Sequence, residues 1–256
     1  MILLLVFAIG LAAGFVDAIA GGGGLIMLPG LLFSGLPVGG AIATNKLCGT
    51  CGAIASTLTF AKSKQIDWRA CAAMGIPAVL GAYAGSRSIG RLPTAWAEPA
   101  EIVLILMITA LVVLKPELGM KQQAAGATVN KPLSLKTRLL GMLLGAAIGF
   151  HDGFFGPGTG IFLVFVLLSL WSLDFLKGTG TTKVINLLTN ITALATFAAS
   201  GNIDYTKGIV GAVGVGLGSF IGATFATKKG AKLIKPLFVA VAIALVAKLL
   251  FDTATN

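Results

Sequence analysis

Long apolar runs that few charges interrupt dominate this chain. Of its 256 residues, 56% are hydrophobic and only 11% are charged, and the mean hydropathy is +0.96. Soluble domains carry about 25% charged residues, and a soluble domain of this length cannot hide so much apolar surface. The same composition excludes an intrinsically disordered chain. The sequence therefore predicts an all-α integral membrane protein that crosses the bilayer many times.

The apolar runs can be measured against the bilayer, because a membrane helix needs about 20 mostly apolar residues. The runs are 2–20, 24–36, 40–61, 70–90, 99–114, 138–153, 157–172, 178–200, 206–227 and 233–251. Four of the shorter runs form two pairs, and a glycine-rich break joins the members of each pair. We expect eight to ten membrane segments, in which the breaks form either re-entrant hairpins or broken crossings.

The two halves of the sequence resemble each other at a nearly constant offset. Gly14–Asp17 matches Gly149–Asp152 at an offset of 135, and Thr44–Lys46 matches Thr181–Lys183 at an offset of 137. Such agreement over a half-chain predicts a duplication of about five apolar segments. Because five is an odd number, the second repeat should be inverted relative to the first.

This duplication predicts three regions: a first membrane repeat at 1–115, a basic cytoplasmic linker at 116–137 and a second membrane repeat at 138–256. If the linker is cytoplasmic, loops on that side hold 13 of the 19 Lys and Arg residues. The positive-inside bias favours this orientation, which places both termini outside the cell membrane. Because loop positions explain the net charge of +10, we expect no nucleic-acid partner.

Ionisable residues within the apolar runs are Asp17, Lys46, His151, Asp152 and Lys183. Burying each charge in lipid costs at least about 2.5–3.5 kcal/mol, so such residues usually line a cavity or pair with one another. One interpretation is two salt bridges that hold each half together, and the other is a polar cavity at the repeat interface. For His151, the alternatives are a proton relay beside Asp152 and a hydrogen-bonded structural histidine.

The glycine breaks, Gly21–Gly24 and Gly156–Gly160, each precede an apolar run. A break of this kind frees backbone N–H groups at a helix start, where the helix dipole favours an anion. Two such starts of inverted topology are expected to converge on one site near the middle of the bilayer. The alternative is that glycine only lets helices pack closely.

Lys46 and Lys183 lie among amide and hydroxyl side chains, which makes them candidates for an oxyanion clamp. The amides have an alternative role in hydrogen bonds between helices. The candidate substrate-binding residues are Gly22, Gly23, Gly24, Asn45, Lys46, Gly158, Thr159, Gly160, Thr182, Lys183 and Asn186. The candidates for proton coupling or cavity charge are Asp17, His151 and Asp152.

Motifs of other chemistries do not match. Cys48 and Cys51 have C-x-x-C spacing, but they lie in an apolar helix without a thioredoxin-like setting. One His and three Cys make no convincing metal site, and no nucleophile elbow or ATP-binding motif is present. We therefore expect no enzyme activity, cofactor or metal. The energy for transport would come from ion gradients or from a separate subunit.

One further set of short stretches is specific in combination: Gly14–Asp17, Gly21–Gly24, Pro29, Ala43–Lys46, Gly149, Gly153, Gly156–Gly160 and Gly180–Lys183. Through these stretches the chain resembles the TauE/SafE family of membrane transporters, and the resemblance covers nearly all 256 residues. The resemblance implies transport of small sulfur-containing anions or organic acids across the cytoplasmic membrane, and it leaves the substrate open.

These observations lead to the hypothesis of a secondary transporter for sulfite, an organosulfonate or a similar oxyanion, with protons as candidate coupling ions. One alternative is a transporter of a cation or another organic acid that uses Asp17 and Asp152. Another is a membrane subunit without transport activity. The expected partners are a small anionic substrate and the lipid bilayer, and the glycines at Gly81–Gly85 permit a homodimer.

Overall fold

The computed structural model of the chain describes residues 1–89, 134–230, 235–241, 243, 244 and 247. The regular elements of this part are helices: α1 (Ile2–Ala20), α2 (Gly24–Phe33), α3 (Val38–Lys62), α4 (Trp68–Ser88), α5 (Leu135–Phe154), α6 (Thr159–Leu170), α7 (Phe175–Ala199) and α8 (Tyr205–Lys229). Residues 235–241 are also helical. The predicted run 99–114 and most of the predicted linker 116–137 lie outside the described residues.

Helix starts in the polar loops are fixed by side-chain caps. The carboxylates of Asp67, Asp174 and Asp204 accept backbone N–H groups from the first turns of α4, α7 and α8. Ser134 caps α5 in the same way, accepting from the N–H of Thr137 at 3.1 Å. Helix α5 therefore begins three residues before the boundary predicted for the second repeat, because this cap lies beyond the apolar run.

Two of the helices, α2 and α6, are too short to cross a bilayer. With 10 and 12 residues, they extend about 15 and 18 Å, against a hydrocarbon thickness of about 30 Å. Helix α2 folds back along α1, since Gly23 packs against Asp17 and Gly30 packs against Ile9. A glycine with positive φ lies at each of the two breaks, with φ +78° at Gly21 and +99° at Gly156. The first glycine break is therefore a helical hairpin.

Close packing joins α1 to α8 and α4 to α5. A Cβ atom on Gly81 or Gly85 would overlap the backbone of α5, and one on Gly218 would overlap the backbone of α1. The Gly81–Gly85 surface, which in the sequence permitted a homodimer, is therefore occupied within the same chain. Gly81, Gly85 and Gly218 therefore allow close contacts between helices of the same chain.

Helices α3 and α7 pack against each other in the centre and run antiparallel. Near the start of α3, the Thr44 hydroxyl accepts the N–H of Asp204, in the loop that follows α7, at 3.0 Å. Near the start of α7, the Thr181 hydroxyl accepts the N–H of Asp67, in the loop that follows α3, at 2.9 Å. The start of each helix therefore lies beside the end of the other.

The largest apolar cluster surrounds α6. Ile161, Leu163 and Leu167 of this helix are fully buried, and the cluster includes Met74 of α4 and Phe175 of α7. The short helix is thus held by elements from both halves of the sequence. Its first turn lies at the second glycine break, which fixes the position of that break in the molecule.

Membrane-spanning length and hydropathy are combined in α1 and α8 among the described residues, and α2 and α6 are apolar but shorter. Helices α3 and α7, with 25 residues each, extend about 37 Å and are also long enough to cross. Their buried polar residues lower their hydropathy. The all-helical prediction is confirmed for the described residues, and the number of eight to ten segments stays a prediction.

Candidate functional site

The two glycine breaks meet at the centre of the molecule. A Cβ atom built on Gly21 would lie 2.6 Å from the Cα atom of Gly160, so the two backbones are in direct contact. Helix α2 begins at Gly24 and α6 begins at Thr159, so both helix starts lie at this contact. A cavity of about 50 Å³ opens beside them, between α3 and α7.

Eight of the eleven predicted substrate-binding residues line this cavity: Gly23, Gly24, Asn45, Lys46, Gly158, Thr159, Gly160 and Asn186. Asp17 and Asp152 also line it. Gly22, Thr182, Lys183 and His151 are not on its wall. The cavity therefore collects residues from both glycine breaks and both central helices.

The helix starts present backbone donors to the cavity. Their N-caps are Gly23 and Gly158, which make no side-chain cap bond. The N–H groups of Gly24 and Gly160 have no acceptor among the described residues. Each helix start also carries about half a positive charge from its dipole. The cavity thus combines free donors with positive potential, which is suited to an anion.

Two ion pairs flank the site, and both join one half of the sequence to the other. The Lys46–Asp152 pair is buried, whereas the Asp17 side chain of the other pair is 23% exposed. Lys46 Nζ lies 2.9 Å from Asp152 Oδ1, and Lys183 Nζ lies 2.8 Å from Asp17 Oδ2. Lys183 also donates to the backbone carbonyl of Asp17. The interpretation in which salt bridges hold each half together is therefore wrong, because the partners come from opposite halves. The four charges neutralise each other, so the helix starts provide the uncompensated positive potential.

The two lysines have different access to the cavity. Lys46 lies on the wall, and its Nζ atom would be 3.0 Å from a Cβ atom on Gly156. Lys183 is fully buried, and its ammonium group is bound to Asp17. The neighbouring Thr182 hydroxyl is buried, and no described residue forms a hydrogen bond with it. Lys183 therefore acts on the cavity only through Asp17.

Amide side chains supply neutral polar groups. Asn45 Nδ2 lies 3.5 Å from the position of a Cβ atom on Gly24, close to the start of α2. On α7, Asn190 donates to the backbone carbonyl of Asn186 at 2.7 Å. The Asn186 Oδ1 atom is buried and has no hydrogen-bond partner among the described residues. This amide is therefore free to form a hydrogen bond with a molecule bound in the cavity.

Sequence reasoning missed the small residues that make room for these amides. Gly49 and Ala53 on α3 line the cavity, and they lie 137 positions before Asn186 and Asn190. A Cβ atom on Gly49 would be 3.1 Å from Asn190 Oδ1. Small apolar residues carry no chemical signal of their own. The 137-residue offset, applied to Asn186, is the signal that would have identified Gly49.

The remaining acidic and imidazole groups differ between the halves. Asp17 Oδ1 accepts the N–H of Gly23 at 3.2 Å, whereas Asp152 Oδ2 is buried and has no hydrogen-bond partner in the part of the chain that the structure describes. His151 lies behind the wall, with Nδ1 3.3 Å from the Thr159 hydroxyl and its ring edge-on to Phe162. The surroundings of His151 match the structural alternative, and its role in proton relay stays a prediction.

Metal-ligating side chains are scattered in the part of the chain that the structure describes: no three His, Cys, Asp or Glu residues there form a group that could hold an ion. Cys48, Cys51 and Cys71 are free thiols.

In the described residues, which form helices, two short helices start at a cavity lined by polar and charged side chains, as the broken helices of secondary membrane transporters do. The family model described as sulfite exporter TauE/SafE matches residues 6–249, and the chain belongs to this family. The predicted family is therefore confirmed, and with it the class of membrane transporter.

Curated relatives agree with this family. A "Probable membrane transporter protein" of Haemophilus influenzae is 34% identical over 251 residues, which cover 98% of this chain and 95% of the relative. "Probable membrane transporter protein YfcA" of Escherichia coli K12 is 32% identical over 256 residues, covering 99% and 91%. "Probable membrane transporter protein YdhB" of Bacillus subtilis is 24% identical over 225 residues, covering 88% and 89%. No solved structure matches the chain.

Proposed function

We propose that this protein is a secondary transporter that moves a small sulfur-containing oxyanion, such as sulfite, across the cytoplasmic membrane. The observation that carries the proposal is the convergence of two helix starts on one cavity. Their N–H groups at Gly24 and Gly160 have no acceptor among the described residues, and they point to a ligand that accepts hydrogen bonds. The family description, a sulfite exporter, supports the same substrate class.

The size of the cavity supports a compact substrate. A volume of about 50 Å³ holds about three to five water molecules, since each needs about 10–15 Å³ by this measure. An anion with one central sulfur and three or four oxygens needs similar space. An organosulfonate with a longer carbon chain would require the cavity to open further. We therefore rank sulfite and similarly small oxyanions above the larger organosulfonates.

The transport cycle in this proposal uses two inverted repeats of about five segments. The helix starts at Val38 and Phe175 are 137 positions apart, which equals the sequence offset. The antiparallel course of α3 and α7 and the ion pairs between halves support the same arrangement. Movement of one repeat against the other would then open the cavity to each side in turn. The unpartnered oxygen of Asp152 provides a place for a coupling proton.

Cation transport through Asp17 and Asp152 is the second candidate. The free Asp152 Oδ2 atom favours it, because a buried carboxylate oxygen without a donor attracts cations. Both carboxylates, however, are already paired with lysines, and a cation in the cavity would face two positive helix starts. The anion proposal therefore agrees better with the electrostatics of the site.

The test is flux into proteoliposomes that contain the purified protein. Sulfite, thiosulfate and two organosulfonates are supplied, each with and without a pH gradient. We expect saturable sulfite movement that Asn186→Leu reduces at least tenfold and that Asn202→Leu, in an exposed loop, leaves unchanged. If none of these anions moves while cations do, and Asp152→Asn stops the cation flux, the second candidate replaces the first.

A further inference from the structure

An open groove of about 690 Å³ lies between α3 and α8, away from the central cavity. Its wall includes three large apolar side chains, Ile54, Leu58 and Phe220, which are 43%, 58% and 55% exposed. At one end, the groove is lined by Lys62 and Lys228, in the last turns of α3 and α8. The groove therefore has a long apolar part and a doubly basic end.

The ammonium groups of Lys62 and Lys228 form no ion pair with a described residue. Neither has a carboxylate within 4.0 Å in the part of the chain that the structure describes. The nearby hydroxyls of Ser63 and Thr227 donate to carbonyls of their own helices. A lysine in a last helical turn complements the negative end of the helix dipole, and this explains one lysine on each helix. It does not explain why the two lysines line the mouth of one apolar groove.

Lys62 and Lys228 also lie on the side of the protein that the charge distribution predicts to be cytoplasmic. The inner leaflet is negatively charged, and basic residues at its surface attract anionic headgroups. A lipid phosphate between the two ammonium groups would place its acyl chain on the apolar wall. Lys62 follows Ile54 by eight positions on α3, which corresponds to about 12 Å of wall.

We propose that this groove is a binding site for one anionic phospholipid of the inner leaflet. Lys62 and Lys228 bind the phosphate, and Ile54, Leu58 and Phe220 contact an acyl chain. The site is separate from the transported substrate, so the proposal stands independently of the substrate class. It assigns a function to the exposed lysines that the transport mechanism does not use.

The chain contains an internal comparison for this proposal. A groove of about 710 Å³ lies between α4 and α7, where Tyr83 and Arg87 occupy positions 137 before Phe220 and Thr224. The positions equivalent to Lys62 and Lys228 are Ala199 and Arg91, and Arg91 lies outside the described residues. Arg87, the basic residue among the described residues of this second groove, donates to the Tyr83 hydroxyl at 2.7 Å. Among the described residues of its wall, this second groove has a similar volume, no lysine pair and one basic side chain that already donates within its own helix, so we expect no selection of anionic lipid there.

The experiment measures lipid binding to the purified full-length protein in neutral detergent. Phosphatidylglycerol and phosphatidylcholine with identical acyl chains are titrated, and bound lipid is counted by native mass spectrometry while thermal melting is recorded. We expect one phosphatidylglycerol to bind and raise the melting temperature. Lys62→Gln/Lys228→Gln should weaken this binding by roughly tenfold or more. Arg87→Gln is the matched control and should bind as the wild type does.

Two results would overturn the proposal. One is equal binding of the two lipids to the wild type, and the other is unchanged phosphatidylglycerol binding in the double variant. The groove would instead be the binding site of a second copy of the chain if three results came together. The wild type would form a dimer that covers the groove, the double variant would be monomeric, and neither would select between the two lipids. The single variants Lys62→Gln and Lys228→Gln keep the test decisive if the double variant does not fold, because each should lose part of the selectivity.

Discussion

Lys46 and Asp152 form an ion pair of 2.9 Å between α3 and α5, and the two residues are only 2% and 3% exposed. Removing one partner leaves the other as a buried uncompensated charge, which costs about 3–5 kcal/mol. We therefore expect Lys46→Met to lower the stability of the protein by this amount. Thermal melting of the purified protein measures the loss.

The charge-free pair Lys46→Met/Asp152→Leu should recover most of the stability, because no buried charge remains. Lys207→Met provides the control, since the Lys207–Asp204 pair is partly exposed and longer, at 3.6 Å. This control should cost about 0–1 kcal/mol. Equal losses in Lys46→Met and Lys207→Met would show that the buried pair does not stabilise the fold.

Cavity size provides a second prediction. Gly49→Ala places a methyl group about 3.1 Å from Asn190 Oδ1 and so narrows the space between α3 and α7. If the transported anion occupies this cavity, KM should rise several-fold for an organosulfonate and less for sulfite. Competition flux with both anions in one proteoliposome preparation measures the ratio.

Gly39→Ala is the matched control for this change. Gly39 lies on the same helix, and a Cβ atom there would meet nothing within 4 Å. It should leave the ratio of the two KM values unchanged. A ratio that Gly49→Ala also leaves unchanged would place the substrate elsewhere.

Much of the site was predictable because charges and glycine runs are conspicuous in an apolar sequence. Asp17, Lys46 and Asp152 could be identified from the cost of burying charge, and the helix starts could be identified from the glycine breaks. The pairing of Lys46 with Asp152 could not, because it depends on how the two halves pack. The number of residues between Lys46 and Asp152 in the sequence does not indicate how the two halves pack.

Two other features of the site were not predictable in the same way. These are the small residues that leave space for the cavity and the distance of a charged side chain from its wall. Gly49 and Ala53 resemble any other small residues in a membrane helix. Lys183 carries the same chemical signal as Lys46, yet its ammonium group lies behind Asp17. The direction of a side chain within a bundle follows from the packing of whole helices, which residue type does not encode.

Contact between the glycine breaks makes a third prediction. A Cβ atom on Gly160 would overlap the backbone of Gly21, and neither backbone can move without displacing a helix start. We expect Gly160→Ala to prevent normal folding, seen as aggregation in size-exclusion chromatography. Gly216→Ala is the control, because its nearest contact would be an ordinary 3.9 Å from the Cys51 carbonyl. A monodisperse Gly160→Ala protein with wild-type melting would contradict the close contact.

Thr44 and Thr181 lead to the last prediction, because they make equivalent bonds at opposite ends of the central helix pair. Each hydroxyl accepts one backbone N–H, from Asp204 at 3.0 Å and from Asp67 at 2.9 Å. Valine has the same shape without the acceptor, so Thr44→Val and Thr181→Val should each cost about 1–3 kcal/mol for an unsatisfied N–H group. Thr192→Val, on the exposed face of α7, should cost less, because its hydroxyl only donates to its own helix at 2.8 Å. Thermal melting of the three variants compares them directly. Similar losses at Thr44 and Thr181 are expected if the two halves are held by equivalent contacts, whereas a loss at only one position would mean that the halves differ in what anchors them.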